Sequence, residues 1–176
     1  DLYCGVGTIG LYCAGNARQV WGIESVKSAV IDANRNAVIN GLVNIQFING
    51  KAEEKIFELL EKVNADDPDS DASAKAANGP DLVIMDPPRA GCHPELLSAV
   101  MKAAPEKIIY VSCDPGTLAR DLKILTGNGG PAAENCAGDG ASGSSCEAAY
   151  RIERIREVDN FCYSTHVETV VLMMKK

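Results

Sequence analysis

No run of apolar residues in this chain approaches the roughly 20 needed to span a bilayer, although 46% of its 176 residues are hydrophobic. A basic segment followed by an apolar core is also missing at the start, which argues against a secretory leader. No C-x-x-C pair occurs. The seven cysteines (Cys4, Cys13, Cys92, Cys113, Cys136, Cys146 and Cys162) are odd in number and irregular in spacing. That pattern excludes a disulfide framework or a zinc site as the organising principle and predicts thiols in a reducing cytoplasm. The chain opens at Asp1, without an initiator Met and already inside a motif, which predicts a piece of a longer protein.

Excess positive charge is lacking too: the formal net charge is -7. Taken alone, this disfavours nucleic acid as a partner. The acidity is concentrated, however. Residues 64–79 carry four Asp against one Lys, and residues 128–149 carry Glu134, Asp139 and Glu147 with no Lys or Arg. Together these two stretches hold -6 of the -7, leaving the rest of the chain close to neutral. Both are rich in Gly, Ala, Ser or Asp, and they read as flexible insertions at 64–79 and 127–149 within one domain over 1–176.

What is present is an alternation of short apolar runs and helical patterns. DLYCG reads as the tail of a strand and TIGLYCAG as a short helix. QVWGIE and IQFIN read as strands around a helix, VKSAVIDANRNAVING, whose Asn-Gly end suits a C-cap. AEEKIFELLEKV is amphipathic, with Ile56, Phe57, Leu59, Leu60 and Val63 as its apolar positions. DLVIMD, then a helix opened by Pro94, then KIIYVSC, then a helix from about Thr117 continue the alternation. YRIERIREVD and VETVVLMM close the chain as two strands with no helical pattern between them, which predicts antiparallel pairing. The class is α/β with a mainly parallel sheet.

Four places have the residue types of a site. In DLYCGVGTIG, Gly5 and Gly7 permit a tight strand-to-helix turn and a close backbone approach to a ligand, and Glu24 ends the next strand, where a carboxylate can accept from both hydroxyls of a ribose. An ordinary glycine turn and a solvated carboxylate are the plainer alternatives. MDPPRAG leaves the fourth strand rigidly, with Asp86 and Arg89 available to a ligand. In YVSCDPGTLARDL, Cys113 sits between a strand and a helix N-terminus, a setting that favours an anion and differs from that of an inert core thiol. In THVETVV, Glu168 falls within an apolar run, as a general base or as an edge-strand carboxylate.

In this order, these motifs resemble the S-adenosylmethionine-dependent RNA uracil-5-methyltransferases. DLYCGVGTIG is similar to their cofactor loop, IMDPPRAG to their D-P-P-R-x-G motif, YVSCDPGTLARDL to S-C-N-P-x-T-x-A-R-D, and HVETVVLM to their H-V-E ending. The resemblance implies a Rossmann-like class I methyltransferase fold with a seven-stranded sheet and an antiparallel final strand. It implies S-adenosylmethionine contacts at Tyr3, Gly5, Gly7, Glu24 and Asp86, with Cys113 as nucleophile and Glu168 as base. It further implies a monomer acting on a uridine of RNA, ribosomal rather than transfer RNA, with no metal in the reaction. Any [4Fe-4S] cluster would belong to an RNA-binding part preceding these residues. Two other readings stay open: an amino-group methyltransferase using Asp-Pro-Pro-Arg, and a non-catalytic RNA-binding module. One departure stands out. Asp114 occupies the position of the family's Asn beside the nucleophile, and an ionised Asp only accepts hydrogen bonds.

Overall fold

The computed structural model describes residues 1–65, 79–127, 150–161, 163–164 and 167–176. The two expected insertions therefore lie almost wholly outside the described residues, as do Cys136, Cys146, Cys162 and His166. Two compact units are formed, Asp1–Asn78 with Ile84–Asp86, and Gly79–Val83 with Pro87–Lys176.

The first unit holds helix α1 (Thr8–Ala14), strand β1 (Val20–Glu24), helix α2 (Lys27–Ile39), strand β2 (Ile45–Asn49) and helix α3 (Ala52–Ala65). β1 and β2 pair in parallel, from Val20 opposite Ile45 to Glu24 opposite Asn49. Such a pair needs a crossover, and α2 supplies it. α2 ends as its Asn-Gly signal predicts: Asn40 is the C-cap, Gly41 takes a φ of 65°, and the Leu42 amide returns to the Ala37 carbonyl at 3.0 Å. Ala14, Ala37 and Ile45 are buried together, with Leu11, Val20, Leu42 and Phe47 packed against them. α3 follows its amphipathic pattern at Ile56, which is buried, but Phe57 is exposed. Phe57 adjoins Ile56 and so is turned about 100° from it around the helix, off the buried stripe.

Strand β3 (Leu82–Met85) is shared between the units. The second unit continues with helix α4 (Pro94–Ala103), strand β4 (Lys107–Ser112), helix α5 (Pro115–Leu125), strand β5 (Tyr150–Val158) and strand β6 (Glu168–Lys175). The strand order is β3-β4-β6-β5. β6 runs antiparallel to both β4 and β5, as expected of the last strand. Leu96, Leu97, Val100, Ile108, Tyr110, Leu125, Tyr150, Val171 and Met173 form its fully buried interior. Each buried Leu there contributes about 2 kcal/mol of transfer free energy.

The expected seven strands are not all found among the described residues. There are six among the described residues, and DLYCG contributes only an isolated bridge residue, Leu2, in parallel register with both Ile23 and Met85. The turn that starts at Tyr3 ends the pairing after one residue.

Candidate active site

Leu2 organises the first unit's ligand edge. Its amide donates to the Ile84 carbonyl at 2.8 Å, and its own carbonyl accepts from the Asp86 amide at 3.3 Å. On the other side, the Ile23 amide donates to Asp1 and the Cys4 amide to Ile23, at 2.9 and 3.1 Å. Tyr3, Glu24 and Asp86 are each the residue immediately after a bridged position. Three of the five expected cofactor residues are thereby brought together at the carboxyl ends of three aligned segments, where open α/β sheets bind ligands.

The turn that follows is tight and left-handed at alternate residues: Tyr3, Gly5 and Gly7 have φ of 63°, 54° and 85°. For Tyr3 this conformation costs about 1–2 kcal/mol, strain of the kind that collects at ligand sites. The two glycines serve differently. A Cβ on Gly7 would lie 2.6 Å from Phe47 Cζ, so Gly7 is needed for packing as well as φ. A Cβ on Gly5 would meet nothing within 4 Å. Gly5 faces open space.

Both oxygens of the Glu24 carboxylate are engaged: Oε2 accepts from the Gly5 amide at 3.0 Å, and Oε1 from the Val26 amide at 2.8 Å and the Ser25 hydroxyl at 3.1 Å. Partial burial on its own would raise the Glu24 pKa, but these hydrogen bonds outweigh it and hold the group below the usual glutamate value. Asp86 shows the opposite balance. It is exposed, yet the atoms around it desolvate it in part and push its carboxyl pKa up.

In the second unit, Cys113 is half-buried directly after β4. The Ser112 hydroxyl closes a loop around it, donating to the Asp114 carbonyl at 3.0 Å and accepting from the Asp114 amide at 3.1 Å. Asp114 is the N-cap of α5: its Oδ1 accepts from the Thr117 amide at 2.9 Å and the Thr117 hydroxyl at 3.2 Å. The helix begins at Pro115, two residues earlier than the expected Thr117, because Pro suits the first helical position and Asp the cap. The departure at Asp114 thus has a structural role that Asn fills equally well.

Glu168 is placed otherwise than expected. It is the half-buried first residue of β6, beside an exposed Val167, and not in the middle of a buried run. β6 lies between β4 and β5, so Glu168 is not on an edge strand either. Ser112 opposite Thr169 is the last pair of the antiparallel ladder, so Cys113 and Glu168 are the residues that directly flank it on the two strands. The two expected catalytic residues thus both adjoin the same end of one ladder.

Sequence reasoning passed over Asp121. This carboxylate is fully buried and takes hydrogen bonds from the Cys92 amide (2.8 Å), the Tyr110 hydroxyl (2.6 Å) and Arg120 Nε (2.8 Å). Its signal was available: Leu118, Asp121 and Leu125 share one buried stripe of α5, and a carboxylate on an apolar stripe needs partners.

A glycine turn leading into α1, an acidic residue ending β1, and an antiparallel last strand inserted between β4 and β5 define the class I methyltransferase form of the Rossmann-like fold. Solved structures agree. The Pyrococcus abyssi tRNA (uracil-54, C5)-methyltransferase, in complex with S-adenosyl-L-homocysteine, matches with a TM-score of 0.68 at 31% identity, over 99% of this chain and 33% of that one. An rRNA methylase from Streptococcus thermophilus matches with a TM-score of 0.58 at 11% identity, over 99% and 84% of the two chains, a likeness of fold alone. Among curated proteins, an uncharacterized RNA methyltransferase of Clostridium acetobutylicum is 39% identical over 175 residues, 99% of this chain and 31% of that protein. A relative in Geobacter sulfurreducens is 41% identical over 176 residues. The family model tRNA (Uracil-5-)-methyltransferase matches residues 1–129. The chain belongs to the tRNA (uracil-5-)-methyltransferase family, and it spans about a third of the length of the curated relatives it matches.

Proposed function

We propose that this chain is the methyl-transferring part of an RNA uracil-5-methyltransferase, acting on C5 of a uridine in ribosomal or transfer RNA through a covalent bond from Cys113 to C6. The observation that carries the reading is the ladder end at Ser112 and Thr169, which Cys113 and Glu168 directly flank. A nucleophile and a carboxylate so placed serve a reaction that needs both, and uracil C5 methylation is one.

The residues at the first unit's edge fit S-adenosylmethionine. Glu24 Oε2 accepts one hydrogen bond, from Gly5, and keeps a lone pair for a ribose hydroxyl; Gly5 borders open space, and Tyr3 and Asp86 adjoin them. The bound cofactor supplies an electrophilic methyl group. All else in the chemistry falls to the protein. C5 of uracil is too weak a nucleophile unaided. Addition of the Cys113 thiolate to C6 makes the C5–C6 π electrons available at C5. Once C5 carries the methyl group, Glu168 removes its remaining proton, the C5–C6 double bond re-forms, and the Cys113 sulfur leaves. Since C6 is shielded in a stacked base, the uridine must be extruded or offered in a loop.

The test uses the full-length protein with S-adenosylmethionine and RNA. Cys113→Ala is expected to abolish methylation. Glu168→Gln is expected to methylate once and accumulate a protein–RNA adduct, because the C5 proton stays. Methylation by Cys113→Ala at the wild-type rate would replace this reading with amino-group transfer at the Asp-Pro-Pro-Arg segment.

A further inference from the structure

The Ala-Arg-Asp part of the nucleophile motif has no role in the chemistry above, yet its Arg and Asp make five polar contacts with the loop before α4, with β4 and with each other. Thr117, Arg120 and Asp121 lie at helical spacings of three and four, on one face of α5. Among the described residues, their hydrogen bonds beyond α5 and its cap run to the loop that follows Asp-Pro-Pro and to β4. The Thr117 hydroxyl donates to the Arg89 carbonyl at 3.0 Å. Arg120 Nη2 donates to the Ala90 carbonyl at 3.0 Å and the Cys92 carbonyl at 3.4 Å, while its Nε donates to Asp121. Asp121 in turn accepts from the Cys92 amide and from Tyr110 on β4. The fit is close: a Cβ on Gly91 would lie 2.4 Å from Arg120 Nη2 and 2.7 Å from Asp121 Oδ2.

We infer that Thr117, Arg120 and Asp121 are positioning residues: they clamp the loop carrying Arg89 onto the helix whose cap follows Cys113, so that nucleophile and substrate-holding loop move as one body. The inference rests on the proposed role of Cys113. Its physical sense is that attack at C6 tolerates little misplacement of the base. The Arg89 side chain is exposed and cationic, suited to an anionic group such as a phosphate of the RNA, and only a fixed loop would hold the base in register with the thiol. The Asp121 carboxylate strengthens this arrangement electrostatically, raising the Arg120 pKa further through their hydrogen bond.

A role in stability alone and a role in positioning separate at Arg120, whose side chain is 52% exposed while Asp121 is at 0%. Arg120→Lys keeps a cation for the buried carboxylate but cannot hold Asp121 and the Ala90 carbonyl with one planar fork. Thr117→Val exchanges the hydroxyl for a methyl group, losing its bonds to the Arg89 carbonyl and to Asp114 while the Thr117 amide keeps the cap. The measurement is the single-turnover rate of covalent adduct formation by the full-length protein on 5-fluorouridine RNA with saturating S-adenosylmethionine, set beside the thermal midpoint. Both variants are expected to keep the wild-type midpoint and to form adduct about tenfold or more slowly. Adduct formation at the wild-type rate by Arg120→Lys, or a loss that merely tracks the fraction unfolded in both variants, overturns the inference. If the wild-type protein itself forms no adduct, the covalent reading fails and this one with it.

Discussion

Asp114 shows how a residue that departs from its family's pattern can keep the same job. Its carboxylate is spent on the Thr117 amide and hydroxyl, so it serves the helix more than it burdens Cys113. Asp114→Asn is therefore expected to leave stability and adduct formation nearly unchanged. Asp114→Ala is expected to cost about 1 kcal/mol in chemical unfolding, the usual loss of an N-cap. Glu24 yields a pH prediction. Its folded pKa lies below the ordinary value of 4.5, so the unfolded chain binds the proton first. Its stabilising contribution is present above about pH 4.5 and lost as pH falls through the lowered folded value. Acid unfolding of Glu24→Gln should accordingly depend less on pH in that window than that of the wild type. The cap at Asp114 was legible in its Asp-Pro signal, whereas the Glu24 role was not, since it depends on the Gly5 amide folding back from 19 residues away.

Elements were far more legible than their contacts. The strands around α2, the Asn40-Gly41 helix end and the Pro94 helix start follow from turn chemistry and apolar spacing, and the structure has all of them. What sequence left open was long-range. The reduction of the first strand to one bridge at Leu2 depends on a left-handed Tyr3, a conformation no propensity favours. Glu168 at the head of β6, rather than within it, depends on where pairing with β4 ends. The opening turn offers a test at this scale. Gly5→Ala should cost about 1–2 kcal/mol from φ alone, since its Cβ meets open space. Gly7→Ala should cost more, because Phe47 must move as well. Equal costs in denaturant unfolding would contradict the contrast drawn between the two.

For the molecule as a whole, the expected cofactor residues (Tyr3, Gly5, Gly7, Glu24 and Asp86) all fall in one compact unit, while Cys113 and Glu168 fall in the other. That division fits the proposed chemistry, in which the first unit would hold the methyl donor and the second would activate the base. The motifs and their order carried the family in the sequence, because each motif is local. The net charge of -7 leaves little electrostatic attraction for RNA in this chain. Residues 1–176 alone are thus expected to bind RNA far more weakly than the full-length protein, by titration at matched salt. The central claim is the covalent role of Cys113, and one measurement reaches it directly. Full-length protein is incubated with S-adenosylmethionine and 5-fluorouridine RNA, digested, and its modified peptide sequenced by mass spectrometry. The account predicts a methylated fluorouridine nucleotide on Cys113, because fluorine cannot leave C5 as a proton does. Methylation of ordinary RNA by the same preparation with no adduct, or an adduct on another cysteine such as Cys92, would contradict it.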